Sequence, residues 1–261
     1  MARLIDCTLF FNEFRLLSLR FNILRDAVDR FVIVEADRTF SGQRKPLRLR
    51  KWITENASDL ADRISVIEVT DSPHNKNPWI AEVHQRNAVM RGLSDVQDND
   101  ILMFFDVDEI PCVDAILARL PSDDLAAVEQ DFYYYYLNLH RGKWARGTAT
   151  YARNMTVSPQ EARTLFHRPV IESGGWHFSY LMSAEDMASK IRAFSHQEFN
   201  APRFTDIETL RARIAAHQDL FGRKNQPALA VRPLDDSFPE FLLKNRSDYA
   251  DLILAPPGLA A

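Results

Sequence analysis

The sequence of 261 residues has only two cysteines, Cys7 and Cys112, and no long apolar run. Two cysteines exclude a disulfide framework, and Cys7 lies in a short apolar segment where a buried, reduced thiol is expected. No apolar stretch reaches the ~18 residues that a transmembrane helix needs, and the first residues do not resemble a signal peptide. We therefore expect a cytoplasmic protein without a transmembrane segment, for which peripheral attachment to a membrane stays open.

The chain also lacks a basic excess. It has 32 lysines and arginines against 36 aspartates and glutamates, and its net charge is −4. This balance gives no reason to expect a nucleic-acid partner. The 46% hydrophobic and 26% charged content is typical of a globular protein. The length suits a single domain over 1–261.

Strands that alternate with helices are predicted in the first part of the chain, residues 1–120. Short apolar runs typical of buried strands lie at 4–11, 31–34, 64–69 and 101–105. Five apolar residues spaced by three and four indicate a helix: Phe14, Leu17, Phe21, Leu24 and Val28. A second helix is predicted from Pro78 to Leu93, with Gly92 near its end, and 39–51 is predicted to be a loop. This alternation predicts an α/β fold with a parallel, Rossmann-like nucleotide-binding sheet and helices on both faces.

The second part, residues 121–261, has a different pattern. Residues 125–139 are aromatic and typical of a strand, and alternation along it predicts that half of the tyrosines at 133–136 are buried. Two glycines, Gly174 and Gly175, interrupt the chain. Helices are predicted at 184–195 and 206–222, and the end of the chain at 255–258 is predicted to be a loose tail.

The strongest local motif is Asp106-Val107-Asp108-Glu109-Ile110-Pro111, directly after the fourth predicted strand. Side chains two residues apart in an extended chain point the same way, so Asp106 and Asp108 can converge at the carboxyl edge of the sheet, where open α/β folds bind ligands. Hard oxygen ligands select Mg²⁺ or Mn²⁺. The motif therefore indicates a metal site, and the alternative interpretation is a solvated acidic turn.

Several blocks of the sequence, in the same order, resemble glycosyltransferase family 17, the family of the bisecting N-acetylglucosaminyltransferases. Two of these blocks are Asp106-Val107-Asp108-Glu109-Ile110-Pro111 and Gly175-Trp176-His177-Phe178-Ser179. The others lie at 11–13, 16–20, 31–35, 39–42, 45–47, 85–87, 92–93 and 190–200. Each block alone is weak, and their ordered combination over about 4–200 is specific.

The resemblance implies a GT-A-type fold, a UDP-sugar donor such as UDP-GlcNAc, a Mn²⁺ or Mg²⁺ cofactor, and inversion at the anomeric carbon. Residues 1–120 would then bind the nucleotide-sugar, and 121–261 would be the acceptor-binding part. Characterised animal members carry an amino-terminal membrane anchor that this sequence does not show. We therefore expect a glycan or lipid-linked glycan acceptor, such as a polysaccharide precursor built on the cytosolic side.

Residues at predicted strand ends and on the second helix are the candidates for nucleotide-sugar binding. They are Phe11, Asn12, Glu13, Glu35, Asp37, Arg86, Asn87 and Asp106. Two of them have open alternatives. Glu35 also fits a buried structural carboxylate, and Arg86 also fits a partner for an acid of the metal cluster or an ordinary exposed arginine.

Inverting transfer needs a carboxylate that takes the proton of the acceptor hydroxyl. Glu185 and Asp186 are the first candidates for this base because they follow the Gly-Gly-Trp segment, as in some other inverting GT-A enzymes. Helix capping explains the same pair without catalysis. Glu109 and Glu172 are the competing candidates.

The second part also supplies candidate metal and acceptor residues. His196 is predicted to complete the metal site with Asp106 and Asp108, and His177 is its rival. His177, Trp176 and Trp144 are predicted to contact the acceptor, because aromatic rings stack on the apolar faces of sugars.

Two other function classes stay open on the sequence. A metal-dependent nucleotidyl or phosphoryl enzyme also uses clustered aspartates at strand ends, but no Gly-x-x-x-x-Gly-Lys loop accompanies them here. The other class is a non-catalytic sugar- or nucleotide-binding protein on the same fold, against which the intact Asp106 and Asp108 argue.

Overall fold

The computed structural model describes residues 2–223, 226 and 228–255. The predicted tail at 255–258 therefore lies outside the described residues except for Ala255. Within this described part, no helix combines the length and the apolar character needed to cross a membrane. Both cysteines are free thiols, and Cys7 is buried as predicted.

The first part of the chain forms four parallel strands in the order β3-β2-β1-β4. The strands are β1 (Leu4–Phe10), β2 (Arg30–Ala36), β3 (Ile64–Val69) and β4 (Ile101–Asp106). The helices between them are α1 (Phe14–Leu24), α2 (Leu49–Asn56) and α3 (Pro78–Asn87), with 3₁₀ turns at Ser58–Arg63 and Ala88–Gly92. The parallel sheet predicted for this part is confirmed.

The chain after β4 extends the same sheet through both antiparallel and parallel pairs. Its strands are β5 (Glu109–Pro111), β6 (Ala126–Tyr134), β7 (Leu139–Tyr151), β8 (Val170–Ile171), β9 (Gly175–Ser179) and β10 (Ala230–Val231). Its helices are α4 (Val113–Arg119), α5 (Pro159–Thr164), α6 (Ala184–Ala193), α7 (Pro202–Thr205), α8 (Ile207–Ala215) and α9 (Glu240–Lys244). Three 3₁₀ turns lie at Ala152–Asn154, Gln197–Phe199 and Arg246–Leu252.

The join between the two parts lies at β4, which pairs with β1 in parallel on one edge and with β7 antiparallel on the other. From β4 the sheet continues in the order β7-β6-β9-β5, while β8 pairs with β6 and β10 with β7. The predicted α/β class is confirmed, and the described strands form one curled, mixed sheet of ten strands flanked by helices. The antiparallel neighbours that follow β4 were not part of the sequence prediction, which described a parallel sheet for residues 1–120 only.

Three local predictions are corrected in their boundaries. The loop predicted at 39–51 ends earlier, because α2 begins at Leu49, whose backbone N–H donates to the buried Glu35 carboxylate. The helix predicted from Pro78 changes to a 3₁₀ turn after Asn87. The helix predicted at 206–222 is the shorter α8.

The tyrosines at the end of β6 are more buried than alternation predicted. Tyr133 packs in the core on one face of the sheet, and Tyr134 packs in a second core on the other face. Tyr135 follows the strand with φ of 62° and is also buried. Both faces of this strand are covered, so the expected exposed half does not exist.

Candidate functional site

A cavity of about 210 Å³ opens at the carboxyl ends of β1 and β4, between α3 and α6. Seven of its lining residues lie at these two strand ends or directly after them: Leu9, Phe10, Phe11, Glu13, Asp106, Val107 and Asp108. Glu82 and Arg86 of α3 line another side, and His177, Tyr180 and Lys190 come from the second part of the chain. The cavity therefore lies where the sequence predicted the ligand site.

Asp106 is held by two arginines. Its Oδ1 accepts from Arg86 Nη1 at 2.5 Å, and its Oδ2 accepts from Arg163 Nη2 at 2.6 Å. Burial alone would raise the pKa of Asp106, but the guanidinium groups of Arg163 and Arg86 outweigh it and lower the pKa to about 2. Asp106 is therefore an ionised carboxylate at neutral pH.

Asp108 has looser contacts. Its Oδ2 lies 3.3 Å from Lys190 Nζ and its Oδ1 lies 3.5 Å from His177 Nε2. Burial opposes ionisation, yet Lys190 and His177 hold the pKa of Asp108 well below its usual range. Lys190 also contacts Glu13 at 3.0 Å, and this pair of acids raises the pKa of Lys190 against the effect of burial.

Glu109 lies behind the cavity and is completely buried. Its carboxylate accepts from Arg163, from the indole N–H of Trp144 and from the backbone N–H of Asp106 at 2.9 Å. Both oxygens are therefore occupied. The arrangement fixes the turn after β4 and leaves Glu109 without access to the cavity.

A buried ion pair supports the same turn from the other side. Arg20 on α1 and Asp6 on β1 are both fully buried and pair at 2.5 Å. The same guanidinium donates to the Glu109 carbonyl at 2.6 Å and to the Asp106 carbonyl at 3.2 Å. Backbone carbonyls in a turn need donors once they are buried, and Arg20 supplies them for the turn that carries Asp106 and Asp108.

A sequence profile of glycosyltransferase family 17 matches residues 1–225. The chain belongs to glycosyltransferase family 17. Among similar proteins is the rat protein named beta-1,4-mannosyl-glycoprotein 4-beta-N-acetylglucosaminyltransferase, which is 29% identical over 97% of this chain and 55% of its own length. The human protein of the same name is 29% identical over 94% of this chain and 54% of its own length. This family 17 chain thus spans about half the length of the curated relatives it matches.

Of the residues predicted to bind the nucleotide-sugar in this family 17 chain, four line the cavity: Phe11, Glu13, Arg86 and Asp106. Glu35 is instead buried and accepts from Lys45 Nζ and from the backbone N–H groups of Arg48 and Leu49. This is the structural alternative that the sequence left open.

Three further predicted nucleotide residues lie beside the cavity rather than on its lining. The Oδ1 atom of Asn87 accepts from the backbone N–H of Gln160. The Oδ1 atoms of Asn12 and Asp37 are buried, and neither has a hydrogen-bond partner among the described residues. The predicted roles of these three residues stay predictions.

Most of the catalytic and metal-binding candidates of the second part lie away from the cavity. Glu185 and Asp186 begin α6 on the surface, where Glu185 pairs with Arg211 and Asp186 bonds to the capping Ser183. His196 is exposed and pairs with Glu198 at 2.7 Å. None of these residues lines the cavity, and the exposed Glu172 does not line it either.

The aromatic candidates separate to opposite faces of the sheet. His177 stacks on Phe132 with ring centroids 4.4 Å apart, and Trp144 lies 5.0 Å from the same imidazole. Trp176, the neighbour of His177 on β9, packs toward the other core and donates its indole N–H to the Ser237 carbonyl. Successive side chains of a strand alternate between faces, so one acceptor cannot contact both Trp176 and His177 at this cavity.

Lys190 and Arg163 contact the two aspartates of the cavity, and the sequence reasoning missed both. Lys190 begins the 190–200 block that resembles the family, which is a signal that pointed to it. Arg163 lies in a stretch without a motif, and only the fold brings α5 against the turn.

The acids of the cavity fit a cation only if other ligands complete its coordination. Among the described residues, no group of three or more histidine, cysteine, aspartate or glutamate side chains is arranged to hold a metal ion. Asp106 and Asp108 nevertheless offer hard oxygen atoms on one cavity. Mg²⁺ is commonly bound by one or two carboxylates together with substrate phosphates, so this donor set fits a cation that shares its ligands with a diphosphate.

Proposed function

We propose that this chain transfers a sugar, N-acetylglucosamine, from a UDP-sugar to a hydroxyl group of a glycan, with inversion and with a divalent cation. The observation that carries the proposal is the cavity at the carboxyl ends of β1 and β4, lined by Asp106 and Asp108. Membership of family 17 and the names of the rat and human relatives support the transferase class and the sugar.

In this proposal the diphosphate of the donor lies beside Asp106 and Asp108. A cation held by these two carboxylates would neutralise the negative charge that develops on the leaving diphosphate. Arg86 and Arg163 keep Asp106 ionised and fixed, and Lys190 does the same for Asp108. The protein thus sets the orientation of its charged groups before the donor binds.

The acceptor would enter from the side formed by the second part of the chain. His177 and Tyr180 line that side, and Phe194 of the segment after α6 adjoins them. Glu185 and Asp186 lie outside the cavity, so the proposal does not rest on them as the proton acceptor. The glycan or lipid-linked glycan acceptor is part of the proposal.

Calorimetric titration with UDP, with and without Mn²⁺, tests the donor site. We expect UDP to bind with Mn²⁺, and we expect Asp108→Ala to remove the gain that the cation provides. Asp123→Ala is the matched control, because Asp123 is an exposed aspartate away from the cavity. If UDP and UDP-GlcNAc bind to the wild-type protein in neither condition, the proposed donor is wrong.

Turnover separates the transferase from the alternatives. We expect release of UDP from UDP-GlcNAc in the presence of a glycan acceptor, and loss of this release with EDTA. Tight binding of UDP-GlcNAc without turnover on a panel of mannose-containing glycans would favour a non-catalytic binding protein. Release of UMP or phosphate instead of UDP would favour a nucleotidyl or phosphoryl enzyme.

A further inference from the structure

Three large apolar side chains are exposed in one short segment after α5. Leu165 is 41% exposed, Phe166 is 83% exposed, and Val170 is 52% exposed. Between them, His167 has φ of 61°, which turns the chain between α5 and β8. Exposed apolar groups that cluster on a surface mark sites of protein or membrane interaction.

Two arginines lie beside these side chains. Arg168 donates to Thr148 Oγ1 at 2.5 Å and to the Ala162 and Arg163 carbonyls, and its Nη2 also reaches the Arg146 carbonyl. All of these acceptors are neutral. Within the described part of the chain, neither Arg146 nor Arg168 forms an ion pair, whereas the neighbouring Arg163 is paired with both Asp106 and Glu109.

The charge of Arg168 persists at neutral pH. Burial, together with the nearby guanidinium groups of Arg163 and Arg146, lowers the pKa of Arg168 to about 10. The acid nearest to the segment on α5, Glu161, is engaged by the backbone N–H of Ser158 in a capping box. Positive charge is therefore left without a carboxylate partner next to exposed apolar groups.

These five residues, Leu165, Phe166, Val170, Arg146 and Arg168, form what we name the α5–β8 patch. We propose that the α5–β8 patch docks on the surface of an anionic phospholipid bilayer. Apolar side chains that enter the headgroup region, beside cations that meet lipid phosphates, are the combination that interfacial binding uses.

The size of the patch favours a bilayer over a protein. A stable protein interface buries roughly 800 Å² on each partner, and three apolar side chains cannot supply the core of such an interface. A bilayer needs only a few inserted side chains, and a phenylalanine that projects as far as Phe166 suits insertion. The exposed Arg146, together with the positive charge of the partly buried Arg168, then accounts for the sign of the lipid charge.

The patch is connected to the cavity through Arg163. The backbone carbonyl of Arg163 accepts from Arg168, while its side chain bonds to Asp106. Docking through the patch would therefore hold the turn that carries Asp106 and Asp108 close to the membrane surface. The docking proposal does not depend on the proposed transferase activity. If both hold, docking would favour lipid-linked glycans as acceptors.

Vesicle flotation of the full chain tests the proposal, with phosphatidylcholine vesicles that contain or lack phosphatidylglycerol. We expect binding to the anionic vesicles only, and we expect Phe166→Asp to weaken it about tenfold. Arg146→Glu should weaken it as well, and its effect should shrink at high salt because surface charges are screened. Met90→Asp is the matched control, because Met90 is 43% exposed but follows α3 and precedes the ion-paired Arg91.

Unfolding curves of the variants test whether each one folds. We expect both to fold, because Phe166 and Met90 are exposed. The proposal is overturned if the wild-type protein floats with neither vesicle, or if Phe166→Asp floats like the wild type. It is also overturned if Met90→Asp weakens binding to the same degree. If light scattering instead finds a dimer that Phe166→Asp dissociates, the patch is a self-association surface.

Discussion

The acidic turn after β4 has an inner and an outer layer that differ in how their charges are satisfied. In the inner layer, Glu109 has both oxygens bonded and Arg20 pairs with Asp6 without contact with solvent. In the outer layer, Asp108 has contacts of 3.3 and 3.5 Å and faces the cavity. The inner layer holds the turn in place, and the outer layer retains carboxylate oxygens that a ligand can reach.

The largest effect is expected from breaking the inner layer at its buried ion pair. Arg20→Met leaves the Asp6 carboxylate buried without a partner and removes the donors of the turn carbonyls. Loss of one partner of a buried pair costs about 3–5 kcal/mol. Urea denaturation should detect this loss in the free energy of unfolding. A double variant, Arg20→Met with Asp6→Leu, should recover part of it, and no recovery would mean that the carbonyl contacts dominate.

Two isosteric substitutions sharpen the comparison between the layers. Glu109→Gln should lower the free energy of unfolding by about 1–3 kcal/mol. The reason is that the glutamine carries no charge, so the buried hydrogen bonds from Arg163 lose their charged acceptor. Asp108→Asn should lower stability less than Glu109→Gln does, because its contacts with Lys190 and His177 are longer, and it should abolish most of the UDP release from UDP-GlcNAc. Denaturation and turnover are measured on both variants. Equal losses of stability in the two variants would erase the distinction between the layers.

Acid should act on Asp106, which links the two layers. Because its pKa is lowered to about 2 in the folded protein, against about 3.9 in an unfolded chain, its ionisation stabilises the fold above that unfolded value. This contribution is lost as the pH falls through the folded pKa. Unfolding of the wild type and Asp106→Asn should therefore differ at pH 6 and converge between roughly pH 4 and 2. A difference that persists at the acid end would contradict the assignment.

The smallest effect is expected from the first turn of α6. Glu185→Ala and Asp186→Ala alter exposed carboxylates outside the cavity. Each should change the turnover of UDP-GlcNAc by less than about twofold, since surface substitutions away from a site have small effects. A loss of a hundredfold or more in either variant would restore the base that the sequence predicted there, and would require α6 to move.

The sequence predicted the outer layer better than the inner one, for a physical reason. The unbroken apolar run of β4 and the two aspartates that follow it are local features, so the position of Asp106 and Asp108 at a sheet edge could be inferred. The inner layer depends on pairs that are distant in the chain. Arg163 and Glu109 are separated by 54 residues, and Arg20 and the Glu109 carbonyl by 89. Residue spacing along the sequence cannot predict contacts between residues so far apart in the chain.

The same reason explains the misplaced candidates of the second part. A Glu-Asp pair at a helix start and a lone histidine are local patterns, and their position relative to the cavity depends on how α6 packs. The fold turns the end of α6 toward the cavity, so Lys190 lines it and Glu185 does not. The sequence could predict that Trp176 and His177 lie on opposite faces of β9. It could not predict which of the two faces forms the cavity.

The position of β4 between a parallel and an antiparallel neighbour also determines how the molecule could be divided. A cut in the exposed stretch at 122–124 would give one fragment with β1 to β5 and another with β6 to β10. Each fragment would carry a bare edge of the central sheet, and the aspartates would be parted from Lys190 and Arg163. Activity of the mixed fragments would therefore require β4 to pair again with β7 and β5 with β9.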